Sequence, residues 1–174
     1  MKFISIFAAI SIGLLASIGT QSFATGNHAG RHVDSDAIGK PGKATDAKRT
    51  ITVSMLDSMR FNPQSISVKQ GETIKFIVKN SGKVKHEMVL GTENELKEHA
   101  EVMKKNPEME HADDNQVTVQ PGKSGEIIWQ FTKSGKVNFA CLQPGHFEAG
   151  MKGVVAVSGK PIGDSPAHDS AYKH

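Results

Sequence analysis

Three side chains that can bind a soft metal follow one another at a regular spacing near the end of the chain. The segment FACLQPGHFEAGMKG, residues 139–153, contains Cys141, His146 and Met151 in the pattern C-x4-H-x4-M. Cys141 is the only cysteine of the chain, so it has no partner for an internal disulfide. Thiolate, imidazole and thioether groups favour copper over calcium, magnesium or manganese. The spacing therefore indicates a metal site in this segment.

A fourth donor is expected from another part of the sheet, because four ligands from so short a loop would strain it and leave a metal open to water. His86 fits this role in the segment KVKHEMVLG, where it shares one face of a predicted strand with Met88 and Leu90. Two imidazoles, one thiolate and one thioether are the ligands of a blue-copper centre. The sequence thus predicts one copper ion bound by His86, Cys141, His146 and Met151.

Each of these residues also has a simpler interpretation when it is taken alone. An isolated Cys141 would be a small buried apolar residue, an isolated Met151 would be a core residue, and an isolated histidine would be structural or exposed. Zinc would more often recruit further thiolates or a carboxylate. A cysteine hydrolase would need a third group to orient His146, and none is evident nearby. The combination of the four residues favours copper.

The positioning elements are predicted to be β-strands. Between residues 50 and 158, apolar and polar residues alternate with a period of two, as in half-buried strands. Turn-forming pairs such as Gln70-Gly71 and Pro121-Gly122 separate these runs. The spacing indicates an antiparallel sandwich. In this arrangement Cys141 lies at the end of a strand and faces the core together with Val137 and Phe139.

One stretch has helical spacing instead. Thr92-Glu93-Asn94-Glu95 is a capping box, and Leu96, Ala100 and Met103 follow at intervals of three or four residues before Asn106-Pro107. The sequence therefore predicts a single helix inserted into the sandwich.

The two ends of the chain differ from this domain. Lys2, an apolar run over residues 3–18 and the small-x-small motif Ser22-Phe23-Ala24 predict an export signal that is cleaved near Ala24. Residues 25–49 and 159–174 are polar and lack an apolar period, which indicates a flexible His-bearing leader and a flexible tail. The predicted organisation is signal peptide 1–24, leader 25–49, folded domain 50–158 and tail 159–174.

Export and charge restrict where the protein works and what it binds. The signal predicts a periplasmic protein that has no stable membrane insertion after cleavage. The formal net charge of +3, which falls further when Lys2 is removed, is too small to indicate nucleic-acid binding. A single unpaired thiol in an oxidising compartment requires a reason, and a bound metal supplies one.

The chain resembles the cupredoxins, the superfamily of type 1 copper proteins that includes plastocyanin and azurin. Residues 61–80 are similar to the family's opening strands, HEMVLG to its first-histidine strand, and residues 137–158 to its ligand loop and closing strand. The exported form with a His-bearing leader looks most like the periplasmic copper-tolerance cupredoxins of the CopI type. The resemblance implies an all-β Greek-key sandwich, with His86, Cys141 and His146 as equatorial ligands and Met151 as a weak axial ligand.

Two positions depart from the family pattern. Many members have Asn after the first histidine, where its amide holds the cysteine loop, and Ser or Thr after the cysteine. Here these positions are Glu87 and Leu142, so the loop must be braced differently. Strand alternation points Glu87 away from His86. If the Glu87 carboxylate nevertheless lay near the metal, it would favour Cu(II).

Two functions share this fold and metal. The protein could contribute to copper tolerance, or it could be a mobile one-electron carrier to a respiratory reductase or oxidase that docks its partner near His146. A copper enzyme would need a second copper centre, for which the chain has no His-x-His pair, so we expect no enzymatic activity. We also expect a monomer. Additional donors favour copper handling: His28, His32, His99, Met103, Met109, His111, His168 and His174.

Overall fold

The computed structural model of the protein describes residues 35–109 and 112–159. Within these residues, ten strands form two five-stranded sheets. The first sheet contains β1 (Lys40–Pro41), β2 (Arg49–Leu56), β3 (Arg60–Asn62), β5 (Thr73–Asn80) and β8 (Ser124–Gln130). The second contains β4 (Ser65–Lys69), β6 (His86–Gly91), β7 (Gln116–Val119), β9 (Gly135–Ala140) and β10 (Lys152–Ser158).

The order of the strands brings the predicted ligand segments together. The first sheet has the order β1-β8-β5-β2-β3 and the second the order β4-β10-β9-β6-β7. In the second sheet β6 and β9 are antiparallel, with Val89 opposite Ala140. The start of β6, at His86, therefore lies at the same end of the sheet as the end of β9, next to Cys141.

The expected sandwich and its inserted helix are confirmed, but the pairing is not antiparallel throughout. β2 pairs with β5, and β4 pairs with β10, in parallel. A period of two reports which residues face the core and does not depend on the direction of the neighbouring strand. The sequence pattern therefore could not distinguish the two kinds of pair.

The main core lies between the two sheets. Val53 and Phe76 of the first sheet and Val137 and Phe139 of the second belong to one cluster of buried side chains. The rings of Phe61 and Phe139 meet edge to face across it, with their centroids 5.0 Å apart. Cys141 is fully buried in the same cluster, as strand alternation predicts.

A second, smaller core covers the outer face of β6 and β9. The helix α2 (Glu93–Lys105) begins at the capping box, where the Thr92 side chain accepts a hydrogen bond from the backbone of Glu95 and the Glu95 carboxylate accepts one from the backbone of Thr92. Its buried residues pack with those of the strand face and the segment after β9: Leu96, Ala100, Met103, Val89, Ala140 and Leu142. Because both of its faces are covered, β6 is buried along its whole length.

The prediction of a flexible leader is wrong for residues 35–49. This segment forms α1 (Ser35–Ile38), β1 and a 3-10 turn (Ala44–Asp46), and β1 pairs with β8. Ile38 is 1% exposed, and its carbonyl accepts a hydrogen bond of 2.8 Å from Trp129 Nε1. One buried residue produces no apolar period, so the sequence pattern missed this docking. The predicted signal peptide, the leader up to residue 34 and residues 160–174 of the tail lie outside the described residues.

Within the described residues, no helix combines the length and the apolar character needed to span a membrane.

The docked segment supplies a first prediction. We expect Ile38→Ala to lower the free energy of unfolding by about 2–4 kcal/mol, because it removes a fully buried aliphatic side chain from the core. Lys40→Ala, at an exposed position two residues later, should change it by no more than about 0.5 kcal/mol. Chemical denaturation of both variants measures the difference. Equal stabilities of the two variants would show that residues 38–41 are not part of the folded unit.

Candidate metal centre

The loop that follows β9 is closed at its base by two backbone hydrogen bonds. Cys141 N donates to Met151 O at 3.1 Å, and Met151 N donates to His146 O at 3.0 Å. Inside this loop the chain turns at Gly145, whose φ of 81° lies in the left-handed region that glycine adopts without steric cost. The three donors that the sequence places in this loop are therefore held by one compact turn at the edge of the second sheet.

Three donor atoms converge at this edge. Cys141 Sγ lies 3.2 Å from His146 Nδ1 and 4.0 Å from His86 Nδ1, and the two Nδ1 atoms are 3.2 Å apart. His86 and Cys141 are fully buried, and His146 is half-buried. Among the described residues, these three form the only group of histidine, cysteine and acidic side chains whose donor atoms all lie within 4.8 Å of one another.

The spacing of these atoms fits one metal ion. Imidazole nitrogen and thiolate sulfur bind zinc at about 2.0–2.3 Å, and if similar distances hold for copper, two ligands of one ion lie no more than about 4.6 Å apart. All three distances among the donor atoms are below this limit. Two imidazoles and one thiolate are also the donor types of a trigonal copper site. The residues present therefore fit a single copper ion.

Met151 lies beside this group. Its side chain is fully buried and belongs to the same core cluster as Cys141. Its backbone N–H and C=O form the two hydrogen bonds that close the loop. The structure thus places all four predicted ligands at one edge of the sandwich, and the three nitrogen and sulfur donors face one another.

Burial disfavours the charged forms of the Cys141 thiol and the His146 ring. Burial raises the pKa of the Cys141 thiol to about 12, and the nearby Glu87 carboxylate adds to the rise, although the backbone N–H groups of Glu87 and Gln143 oppose it. Burial and the neighbouring His86 lower the pKa of His146. A metal that binds here must therefore displace the thiol proton, whereas a lone pair of the neutral His146 ring is already available.

Glu87 braces the cysteine loop from the neighbouring strand. Its Oε1 accepts a hydrogen bond of 2.9 Å from Leu142 N, and its Oε2 accepts one of 3.2 Å from Gln143 Nε2 and one of 3.3 Å from the Thr118 hydroxyl. Its own backbone N–H donates to Cys141 Sγ at 3.4 Å. As strand alternation predicts, the carboxylate extends to the side of the strand opposite His86. A carboxylate therefore holds the loop at the position where the family resemblance implied an amide.

Two further contacts fix the far side of the loop, and the sequence pattern did not indicate either of them. Arg60 Nη1 donates to Ala149 O at 3.0 Å, which joins the start of β3 to the ligand loop. Phe147 packs against the second core, and the Lys152 ammonium group lies 3.7 Å from the centroid of its ring. Phe147 therefore anchors the loop to the layer that contains α2.

The additional donors do not form a second cluster within the described residues. Met103 is buried in the second core, where it packs with Leu96 and Ala100. Met109 is 41% exposed. The remaining histidines of this set lie outside the described residues: His28, His32, His111, His168 and His174.

The buried thiol gives a second prediction. In the metal-free protein at pH 7, Cys141 should react with iodoacetamide at least about a hundredfold more slowly than in the unfolded chain, because the thiolate is the reactive form and a pKa of about 12 leaves very little of it. Rates measured with and without guanidinium test this. A folded-state rate equal to that of the unfolded chain would show that the thiol is neither buried nor protonated as described.

Comparisons with known proteins agree with this geometry. A family model described as copper binding proteins, plastocyanin/azurin family, matches residues 47–158. The chain is 54% identical over 132 residues to the copper-resistant cuproprotein CopI of Rubrivivax gelatinosus, covering 75% of this chain and 80% of that protein. It is 38% identical over 150 residues to CopI of Pseudomonas aeruginosa, covering 70% of this chain and 82% of the relative.

Solved structures show the same fold. The crystal structure of dithionite-reduced auracyanin from Roseiflexus castenholzii superposes with a TM-score of 0.55 at 25% identity, covering 64% of this chain and 98% of that one. The family match includes the strands β2 to β10 and all four predicted ligands. The chain belongs to the plastocyanin/azurin family of copper-binding proteins, and within it resembles the CopI cuproproteins.

Proposed function

We propose that the protein is a periplasmic type 1 copper protein that contributes to copper tolerance through one redox-active copper site. The observation on which this rests most directly is the convergence of His86 Nδ1, His146 Nδ1 and Cys141 Sγ within 4.0 Å of one another. In the proposal these atoms are the three strong ligands, and the Met151 thioether is the weak fourth one.

The chain's own residues determine what such a site can do. A bound copper ion would supply one-electron redox chemistry. His86 and His146 provide ring lone pairs, and Cys141 provides a thiolate after it releases its proton. These groups are held in one arrangement by the hydrogen bonds of Met151 with Cys141 and His146, and by those of Glu87, on the neighbouring strand, with Leu142 and Cys141. Because the scaffold is rigid, both oxidation states would meet nearly the same ligand geometry.

The tolerance role is supported by the relatives and by the predicted export signal. Both curated relatives described above have names that state copper resistance. A protein that holds copper tightly outside the cytoplasm would reduce the amount of free ion there. In this proposal the copper ion is the primary partner, and the protein acts as a monomer without a catalytic reaction of its own.

A second candidate function is electron transfer to a respiratory reductase or oxidase. His146 is half-buried, whereas Pro144, Gly145 and Ala149 around it are exposed. This small surface would let a redox partner approach the edge of the His146 ring. Phe147 does not extend the surface, because it packs against the second core.

The ligand assignment has a direct spectroscopic test. We expect the wild-type protein to bind one copper and to show an intense visible thiolate-to-Cu(II) band, which Cys141→Ser should abolish because serine offers no sulfur orbital for this transition. Visible absorption and copper content of the purified proteins measure both effects. Met151→Leu should retain copper and the band, because an axial thioether is a weak ligand. A coloured Cys141→Ser protein would refute the assignment.

The role in the cell is tested by copper sensitivity and by electron flux. If tolerance is the role, a strain that carries Cys141→Ser should become copper-sensitive, whereas trimming residues 25–34 and 160–174 should remove only part of the tolerance. These limits spare Ile38 and β1, so the trimmed chain keeps its core. Growth in graded copper measures tolerance. A deletion strain that tolerates copper normally but loses electron flow to a terminal reductase or oxidase would favour the carrier role instead.

A further inference from the structure

The buried ring of His86 has a carboxylate at its outer nitrogen. His86 Nε2 lies 3.3 Å from Asp57 Oδ1, whereas His86 Nδ1 faces Cys141 Sγ and His146 Nδ1. A neutral imidazole has one N–H and one lone pair, and the hydrogen bond of one nitrogen decides which role the other takes. A proton on Nε2, directed at the carboxylate, leaves the lone pair on Nδ1 and pointing into the metal centre.

Asp57 is itself held by the backbone of the loop before β6. Its Oδ2 accepts a hydrogen bond of 2.7 Å from Lys83 N, and its Oδ1 accepts hydrogen bonds from Lys83 N at 3.0 Å and from Val84 N at 3.4 Å. The Gly82 backbone lies so close to the Asp57 carboxylate that a Cβ added to Gly82 would overlap Asp57 Oδ1. The carboxylate is thus placed by its neighbours and does not move freely as a surface side chain would.

The surroundings of the pair differ on its two sides. The His86 side chain is 0% exposed, and that of Asp57 is 40% exposed. Asp57 therefore contributes a fixed negative charge at the surface side of the site, whereas the His86 ring between this charge and the metal centre is enclosed in protein. A negative charge beside a metal site stabilises a doubly charged ion more than a singly charged one.

We propose that Asp57 is a positioning residue for the copper site, and that it fixes the proton of His86 on Nε2 and favours Cu(II) over Cu(I). This inference rests on the proposed ligand role of His86. It adds a residue from the turn between β2 and β3 to the centre, although that turn contributes none of the four predicted ligands. The carboxylate–histidine pair is one of the arrangements that orient metal-binding imidazoles and raise their basicity.

The main test uses two variants of the full mature chain loaded with copper. Asp57→Asn keeps an acceptor oxygen and removes the charge, and Asp57→Glu keeps the charge. We expect Asp57→Asn to weaken Cu(II) binding about tenfold relative to Cu(I), which corresponds to a rise of about 59 mV in the reduction potential for one electron. Asp57→Glu should return the potential most of the way to the wild-type value. Spectroelectrochemical titration measures all three proteins.

The control is Asp46→Asn, which makes the same chemical change at an exposed aspartate before β2, whereas Asp57 follows the end of that strand. We expect its potential to equal that of the wild type. Equal shifts in Asp57→Asn and Asp57→Glu, or an unchanged potential in Asp57→Asn, would overturn the proposal, because a purely structural role would not separate the two variants by charge.

A second measurement needs no variant. Long-range proton–nitrogen NMR of the metal-free wild-type protein should show the His86 proton on Nε2, and a proton on Nδ1 would overturn the inference. The result is also distinguishable from failure of the proposed function. A wild-type protein without the thiolate-to-Cu(II) band would refute the ligand assignment, whereas a wild-type band combined with an unshifted Asp57→Asn potential would refute only the role of Asp57.

Discussion

The backbone hydrogen bonds that join Cys141, His146 and Met151 are the constraint on which the rest of the centre depends. They close the ligand loop at its base, with N–O distances of 3.1 Å and 3.0 Å. Once the loop is closed, the position of Cys141 at the end of β9 determines where His146 and Met151 lie. The antiparallel pairing of β9 with β6 then brings His86 to the same edge. The ligand loop and the start of β6 thus meet at one end of the second sheet.

Two cores on opposite faces of the second sheet keep this edge rigid. Cys141 and Met151 are buried between the sheets, whereas Ala140, Leu142 and the half-buried Phe147 belong to the layer under α2. Alternate residues of one strand and its following loop are therefore packed on both sides. Interiors packed in this way resist displacement, since shifting any side chain leaves a void or a clash. The inserted helix serves the metal centre indirectly, because it covers the outer face of the ligand strands.

The polar groups around the centre are arranged so that its carboxylates lie outside the donor triangle. Glu87 is directed to the loop backbone, and Asp57 to the outer nitrogen of His86. Hydrogen bonds from the backbone, chiefly that of Lys83, lower the pKa of Asp57, so it remains ionised near neutral pH. Burial keeps the Cys141 thiol protonated when no metal is present, which avoids placing an uncompensated thiolate charge in a buried position. This arrangement suits a soft metal ion better than a hard one.

The sequence by itself determined the candidate donor residues, the strand and helix pattern and the family, because each depends on local spacing. The pattern C-x4-H-x4-M needs only one loop, the alternation of Val137, Phe139 and Cys141 follows from the geometry of one strand, and the capping box at Thr92 is contained in four residues. The direction in which Glu87 points followed from the same alternation. Each of these features depends on residues that are close in sequence, so predicting them required no information about long-range contacts.

Only the tertiary structure decided which residues from other segments support the centre. Ile38 is buried in the core, and its carbonyl accepts a hydrogen bond from Trp129, which is far away in sequence. No apolar period within residues 25–49 could have shown this contact. Asp57 lies in the turn between β2 and β3 and Arg60 begins β3, and nothing in their local sequence indicates that they contact His86 and Ala149. The apolar ring of Phe147 packs against the second core, which includes the buried residues of α2. In each case the deciding contact joins segments that are distant in sequence, and such contacts exist only once the two sheets and the helix have packed.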